Sequence, residues 1–214
     1  MTFWLKTSKS PPTSLPKVCQ NIVLDCHEKV NYHSKYVTYI KSSFDNAGLT
    51  YLFQPHTQHL IIQNHINLIK RRIKDNFIQS WNNAKAVSPK AFFYNIIKHS
   101  FGFEDYLDKL SFKRRIMLSK FRTCNHNLPI ETGRWNGTLR QERTCSTCPG
   151  NVLGDEHHFL FECMSFQETR TLCINRNTYT HPNIIKTSAL FNSKNLNVLN
   201  KLCLLIIEIM HTIN

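Results

Sequence analysis

Residues 145–163 read CSTCPGNVLGDEHHFLFEC and combine closely spaced cysteines with neighbouring histidines. Cys145 and Cys148 are separated by two residues, a spacing that lets both sulfur atoms turn toward one point. His158 and Cys163 supply a second pair, which completes a tetrahedral set of four donors for Zn²⁺. The spacing therefore predicts one zinc ion held by three cysteines and one histidine.

The residues between these donors favour a compact loop. Gly150 and Gly154 supply turns, and Asp155 is placed to cap a short helix that starts near Glu156. His157 is the alternative histidine donor at this stage. Four protein ligands leave no open coordination position. We therefore expect a structural zinc site and no enzymatic activity from this chain.

Cysteine usage and apolar segments bear on the compartment. The chain has eight cysteines, no apolar signal segment near its start, and no uncharged apolar stretch long enough to cross a membrane. We expect an intracellular protein, in the nucleus or the cytoplasm, with no membrane partner. In a reducing compartment, close-set cysteines indicate metal ligands before disulfides. Cys124, Cys173 and Cys203 are expected to be small buried residues.

Hydrophobic periodicity predicts a mostly α-helical fold. Apolar residues recur every three or four positions over residues 62–81, which is typical of one buried helix face. A second stripe runs over residues 199–213 and is expected to pack on the core of this chain, with a partner helix as the alternative. A short strand is expected over residues 138–144. The predicted fold is thus a helical domain with a small CCHC zinc-binding module of short strand, knuckle and helix.

Composition along the chain suggests four segments. Residues 1–17 contain three prolines and several lysines, and we expect a flexible basic leader there. Residues 18–124 form a helical basic region, residues 125–172 the zinc-binding module, and residues 173–214 the C-terminal helices.

The charge of the chain is strongly positive and unevenly distributed. The sequence has 27 Lys and Arg against 14 Asp and Glu, a formal net charge of +13. Residues 60–143 hold 16 of the basic and 6 of the acidic side chains. Such a field favours polyanions, nucleic acid first among them, although a solvated helix face is the simpler alternative. The residues expected to contact phosphates are Lys113, Arg114, Arg115, Lys120, Arg122, Arg134 and Arg143.

A set of residues ahead of and within the cysteine segment forms a recognisable pattern: Phe121-Arg122-Thr123, His126, Leu128, Ile130-Glu131, Gly133-Arg134, Arg143 through Cys148, Asp155-Glu156, His158 through Cys163, and Arg170. This pattern resembles the zinc-binding segment at the C-terminal end of reverse-transcriptase polyproteins from non-LTR retrotransposons. The likeness covers about residues 60–172 and is most specific over residues 122–163. The family's usual proline after the last cysteine is Met164 here.

The resemblance implies a zinc-stabilised accessory region that helps a polymerase hold RNA or DNA. It matches Cys145, Cys148, His158 and Cys163 to the family's ligand positions. The chain has no Tyr-x-Asp-Asp polymerase motif, so we expect the tail of a longer element, with the polymerase domain of that element as a possible partner and an undetermined oligomeric state. The alternative function is a structural or protein-interaction module that docks onto a polymerase and binds no nucleic acid itself.

Overall fold

A computed structural model describes residues 2–30, 34–54, 57, 60 and 63–213. The chain divides into two compact units, residues 1–82 and 83–214. This division does not follow the four segments expected from composition. Helices dominate both units, and the described residues contain no β-strand. None of the helices in those residues combines the length and the apolar character needed to cross a membrane.

The first unit is built from helices around a core of aliphatic and aromatic side chains. Its elements are α1 (Thr2–Ser8), α2 (Leu15–Lys29), α3 (Lys35–Asn46), a 3-10 turn (Thr50–Phe53) and the greater part of α4 (Gln63–Val87). The stretch expected to be a flexible leader contains α1, because Trp4 of that helix is buried and stacks on Phe53 with ring centroids 5.9 Å apart. Gln20 secures this helix by donating to the Trp4 carbonyl.

Helix α4 follows the predicted period but buries only part of the predicted face. Ile66 and Ile69 are buried, whereas Phe77 is 57% exposed. Ile62, the first member of the predicted stripe, lies outside the described residues.

The second unit carries the cysteine-rich segment. Its first helices are α5 (Phe92–Ile97), α6 (Tyr106–Lys109), α7 (Phe112–Arg122) and α8 (Pro129–Trp135). After the cysteine loop come α9 (Gln167–Cys173), α10 (Arg176–Thr180), α11 (Ile184–Phe191) and α12 (Leu196–Thr212). Helix α12 packs against α7 and α9, and α11 packs against α5.

The apolar stripe of α12 belongs to this core. Leu199, Leu202, Ile206 and Ile209 have no exposed surface. The prediction that the stripe packs within the chain is therefore confirmed, and it offers no docking face for a partner helix.

The prediction of a short strand over residues 138–144 is wrong. The structure has a 3-10 turn at Arg140–Glu142 and one isolated bridge between Thr144 and Leu153. The Arg143 guanidinium donates to the carbonyl of Thr138, within the expected strand, and to the carbonyl of Ile130 in α8, so the Thr138 carbonyl is not available for strand pairing.

Candidate metal centre

The knuckle of the metal site is formed by a narrow loop that reverses between Cys145 and Leu153. The Cys145 N–H donates to the Val152 carbonyl over 2.8 Å, and Gly154 N–H donates to the Arg143 carbonyl over 2.8 Å. Gly150 has a φ of +100°, a left-handed conformation that glycine adopts without strain. The predicted turn chemistry is thus confirmed.

Gly154 permits a close approach of backbone segments next to the first cysteine. A β-carbon at this position would lie 2.9 Å from the Pro129 side chain and 3.1 Å from the Cys145 nitrogen. Only a glycine lets the loop return this close to α8, so this residue helps to place Cys145.

The second pair of donors lies on a π-helical turn over His158–Glu162. Asp155 caps this turn, because its carboxylate accepts from the His158 N–H over 3.0 Å, as predicted. In an α-helix, residues five apart point about 140° away from each other. Here Cys163 N–H donates to the His158 carbonyl, five residues back, over 2.8 Å. One turn therefore spans five residues and brings His158 and Cys163 to the same side.

Arg170 of α9 supports the end of this turn from within the core. Its side chain is 1% exposed and donates to the Leu160 carbonyl over 2.8 Å and to the Cys163 carbonyl over 2.6 Å. The guanidinium thereby satisfies carbonyl groups that the turn leaves without helical partners. This contribution of Arg170 was not foreseen from the sequence, where it appeared only in the family resemblance.

The four predicted donors meet at one point. The donor atoms of Cys145, Cys148, His158 and Cys163 all lie within 4.8 Å of one another. The Sγ atoms of Cys148 and Cys163 are 3.5 Å apart, and those of Cys145 and Cys163 are 4.0 Å apart. Tetrahedral zinc with sulfur ligands at 2.3 Å requires about 3.8 Å between sulfurs. The cluster therefore has the size that a metal ion requires.

The histidine in the cluster is His158 rather than His157. The Nε2 atom of His158 is buried and has no hydrogen-bond partner, whereas its Nδ1 lies 3.4 Å from the Glu162 carboxylate. A metal-binding histidine normally has one nitrogen on the ion and the other on a carboxylate or carbonyl. The side chain of His157 is 45% exposed and lies outside the cluster. The residues present thus fit a metal ion bound through His158 Nε2.

Electrostatics also favour a charged donor at Cys163. Burial disfavours the thiolate, but hydrogen bonds from the Thr147 hydroxyl, the Ser165 N–H and the neighbouring thiols outweigh it and lower the pKa of Cys163. Burial raises the pKa of Cys148. Metal binding requires deprotonated cysteines, so one thiol of the cluster is already biased toward the ligand form.

The residues expected to contact phosphates occupy very different environments. Lys113 and Lys120 are exposed on α7, seven residues apart, and Arg115 is half-buried. Arg114 donates to the Asn200 side chain over 2.8 Å. Lys113 and Lys120 line a cleft of about 340 Å³ between α7 and the end of α12.

Three of the predicted contacts instead hold the fold together. Arg122 has no exposed surface, forms an ion pair with Glu104 and donates to the Phe191 carbonyl over 2.9 Å. Its assignment to the nucleic-acid-binding set is corrected, because a buried and paired guanidinium cannot reach a phosphate. Arg134 makes two hydrogen bonds to Glu131. Arg143 donates to the Thr138 carbonyl of its own loop and to the Ile130 carbonyl of α8.

Trp135 is 52% exposed. His126 is buried, and its Nε2 lies 3.0 Å from a Glu156 carboxylate oxygen. Cys124 and Cys203 are buried as predicted, and Cys173 is half-buried.

Comparisons of the chain with protein-family models, with curated proteins and with solved structures found no match.

Proposed function

We propose that this chain is a zinc-stabilised accessory region that holds RNA or single-stranded DNA through its phosphates, similar to the tail of a retrotransposon reverse transcriptase. The observation that carries the proposal is the cleft beside α7. Lys113 and Lys120 lie along one side of it, His126 and His211 contribute to its lining, and none of the described residues that line it is acidic. A groove with positive groups and no competing carboxylate favours a phosphate backbone.

The sequence of α7 supports the same function. The helix reads FKRRIMLSKFR, which has no acidic residue and four cations besides the buried Arg122. Three of the cations, Lys113, Arg114 and Arg115, occupy the first turn, where the helix dipole disfavours positive charge. Bound phosphates would offset this repulsion, whereas a helix selected for stability alone would carry carboxylates at that end.

The metal has a structural role in this proposal. Zn²⁺ is the ion that a set of three cysteines and one histidine favours, and it would bind the knuckle to the π-helical turn with all four positions filled by protein. The ion would contribute rigidity to the segment between α8 and α9 and no reaction step. The proposal therefore includes no enzymatic activity, with RNA or DNA and a polymerase domain as partners.

The decisive experiment is a salt titration of binding to a single-stranded RNA by fluorescence anisotropy. For Lys113→Ala with Lys120→Ala, we expect weaker binding and a plot of log affinity against log salt that is shallower by about 1.4, since each phosphate contact on a single strand contributes about 0.7. The matched control, Lys194→Ala with Lys201→Ala, removes the same charge from exposed positions of the same unit outside the cleft.

Two other outcomes would contradict the proposal. Equal losses in both double variants would mean that only net charge matters and that the cleft is not a binding surface. No binding of the zinc-loaded wild type at low salt would leave the alternative function, in which the metal merely ties helices together. The buried stripe of α12 gives no support to a docking role through that helix.

A further inference from the structure

A second group of potential metal ligands lies in the same unit, away from the three clustered cysteines. The donor atoms of Cys124, His126 and Glu156 all lie within 4.8 Å of one another. The three residues are 2%, 2% and 4% exposed, respectively. Exposed acidic groups often cluster without a ligand, whereas a buried thiol, imidazole and carboxylate at one point require a specific reason.

The backbone conformation of Cys124 is the first indication that its thiol is held in place to bind a ligand. This residue follows the C-cap of α7 with a φ of +52°, and the next N–H, that of Asn125, donates to the Lys120 carbonyl over 2.8 Å. Glycine and asparagine are the residues that favour this left-handed position at a helix end. A cysteine there holds its thiol beside Glu156 at the expense of backbone strain.

The hydrogen-bonding pattern of His126 is the second indication of a ligand at this cluster. His126 Nε2 lies 3.0 Å from a Glu156 carboxylate oxygen, while its Nδ1 is buried with no hydrogen-bond partner. The arrangement differs from that of His158, because the Glu156 carboxylate beside His126 is itself one of the clustered donors, whereas Glu162 is not part of the CCHC cluster. The His126 ring therefore lies against the thiol and the carboxylate of its cluster and keeps one buried nitrogen without a protein partner.

We propose that Cys124, His126 and Glu156 form a second metal site that takes Zn²⁺ or a similar transition-metal dication. The donor set has mixed thiolate, imidazole and carboxylate character, which suits such ions. One thiolate and one carboxylate neutralise the two positive charges of the ion, so a complex without net charge fits a buried position.

Three protein donors leave one coordination position open, unlike the CCHC site. His126 lines the cleft between α7 and the end of α12, which gives water or a small anion a route to that position. The second site therefore differs from the first in being open to exchange.

The test measures how many metal ions the full chain binds. The chain is reconstituted with Zn²⁺ and passed over a weak chelating resin, and the number of bound ions is determined by native mass spectrometry. We expect two ions in the wild type and one ion in Cys124→Gly, since glycine accepts the left-handed backbone without strain. Glu156→Gln keeps a hydrogen-bonding group beside His126 and should also hold one ion. The matched control Cys203→Ala removes another buried thiol and should still hold two.

Cys148→Ser separates the two sites, because it disables the CCHC cluster and should leave one ion. A wild type with one ion that Cys148→Ser abolishes and Cys124→Gly retains would overturn the proposal and leave a hydrogen-bonded tie between Glu156 and its neighbours. Two ions in folded Cys124→Gly would overturn it as well. A wild type that binds one ion, and loses it in Cys124→Gly, would support the second site and show that the CCHC cluster binds no ion.

Discussion

Replacement of Arg122 by alanine tests whether this residue serves the fold or a ligand. The guanidinium is fully buried between the rings of Tyr106 and Phe191, at 4.9 and 5.9 Å from their centroids. It pairs with Glu104, whose side chain is 14% exposed. Alanine would leave this carboxylate without its main partner in a site that excludes most water.

The expected loss of stability follows from the charge of Glu104, which remains in place without Arg122. Removing one partner of a buried ion pair destabilises a protein by about 3–5 kcal/mol. The Nζ atom of Lys98 stays 3.5 Å from Glu104, so some compensation remains and we expect about 3 kcal/mol. The double variant Arg122→Met with Glu104→Gln removes both charges and should recover most of the loss.

The assay is urea unfolding of the zinc-loaded chain, followed by circular dichroism, with RNA affinity measured on the folded fraction. A loss below about 1 kcal/mol, within the range of an exposed ion pair, would refute the reasoning. So would a large drop in RNA affinity with unchanged stability, because Arg122 would then act at the surface.

Two further predictions concern packing and titration in the same unit. Gly154→Ala should destabilise the chain by about 1–3 kcal/mol and weaken zinc binding, because the new methyl group displaces the backbone at Cys145. The control is Gly102→Ala, since a methyl group at Gly102 meets open space. Equal losses of stability in the two variants would contradict the close approach at Gly154. Burial raises the pKa of Cys203 from 9.0 to about 11, so its contribution to stability should be complete below pH 9 and lost as pH rises through 11. Unfolding free energies at pH 8 to 11 should fall more steeply for wild type than for Cys203→Ala, and parallel curves would contradict this.

The donor set of the metal centre was readable from the sequence because it depends on residue type and spacing. Cys145, Cys148 and Cys163 converge as their spacing predicted, and Asp155 caps the turn that follows it. The choice between His157 and His158 was not readable, because it depends on a π-helical turn. Local sequence does not favour such a turn over an α-turn, and here bonds to distant Arg170 accompany it.

The roles of the basic residues were the least predictable part. Counting charges treats all cations alike, whereas Arg122 depends on Glu104, eighteen residues earlier, for its burial. The predicted strand failed for a related reason, since the Arg143 guanidinium binds the carbonyl of Thr138 in its own loop and that of Ile130 in α8. In both cases an arginine binds a partner more than ten residues away, which no local pattern reports.

The different places of Arg122 and Arg170 in the core and of Lys113 and Lys120 at the surface have a physical basis. The planar guanidinium presents several donors at fixed angles and is less strongly hydrated than an ammonium group, so it suits buried carbonyls and carboxylates. Arg122 and Arg170 use it in this way within the core. Lys113 and Lys120 remain in solvent. The charge that a polyanion could meet is therefore smaller than the formal +13, and the salt dependence of binding should report the exposed lysines rather than the total.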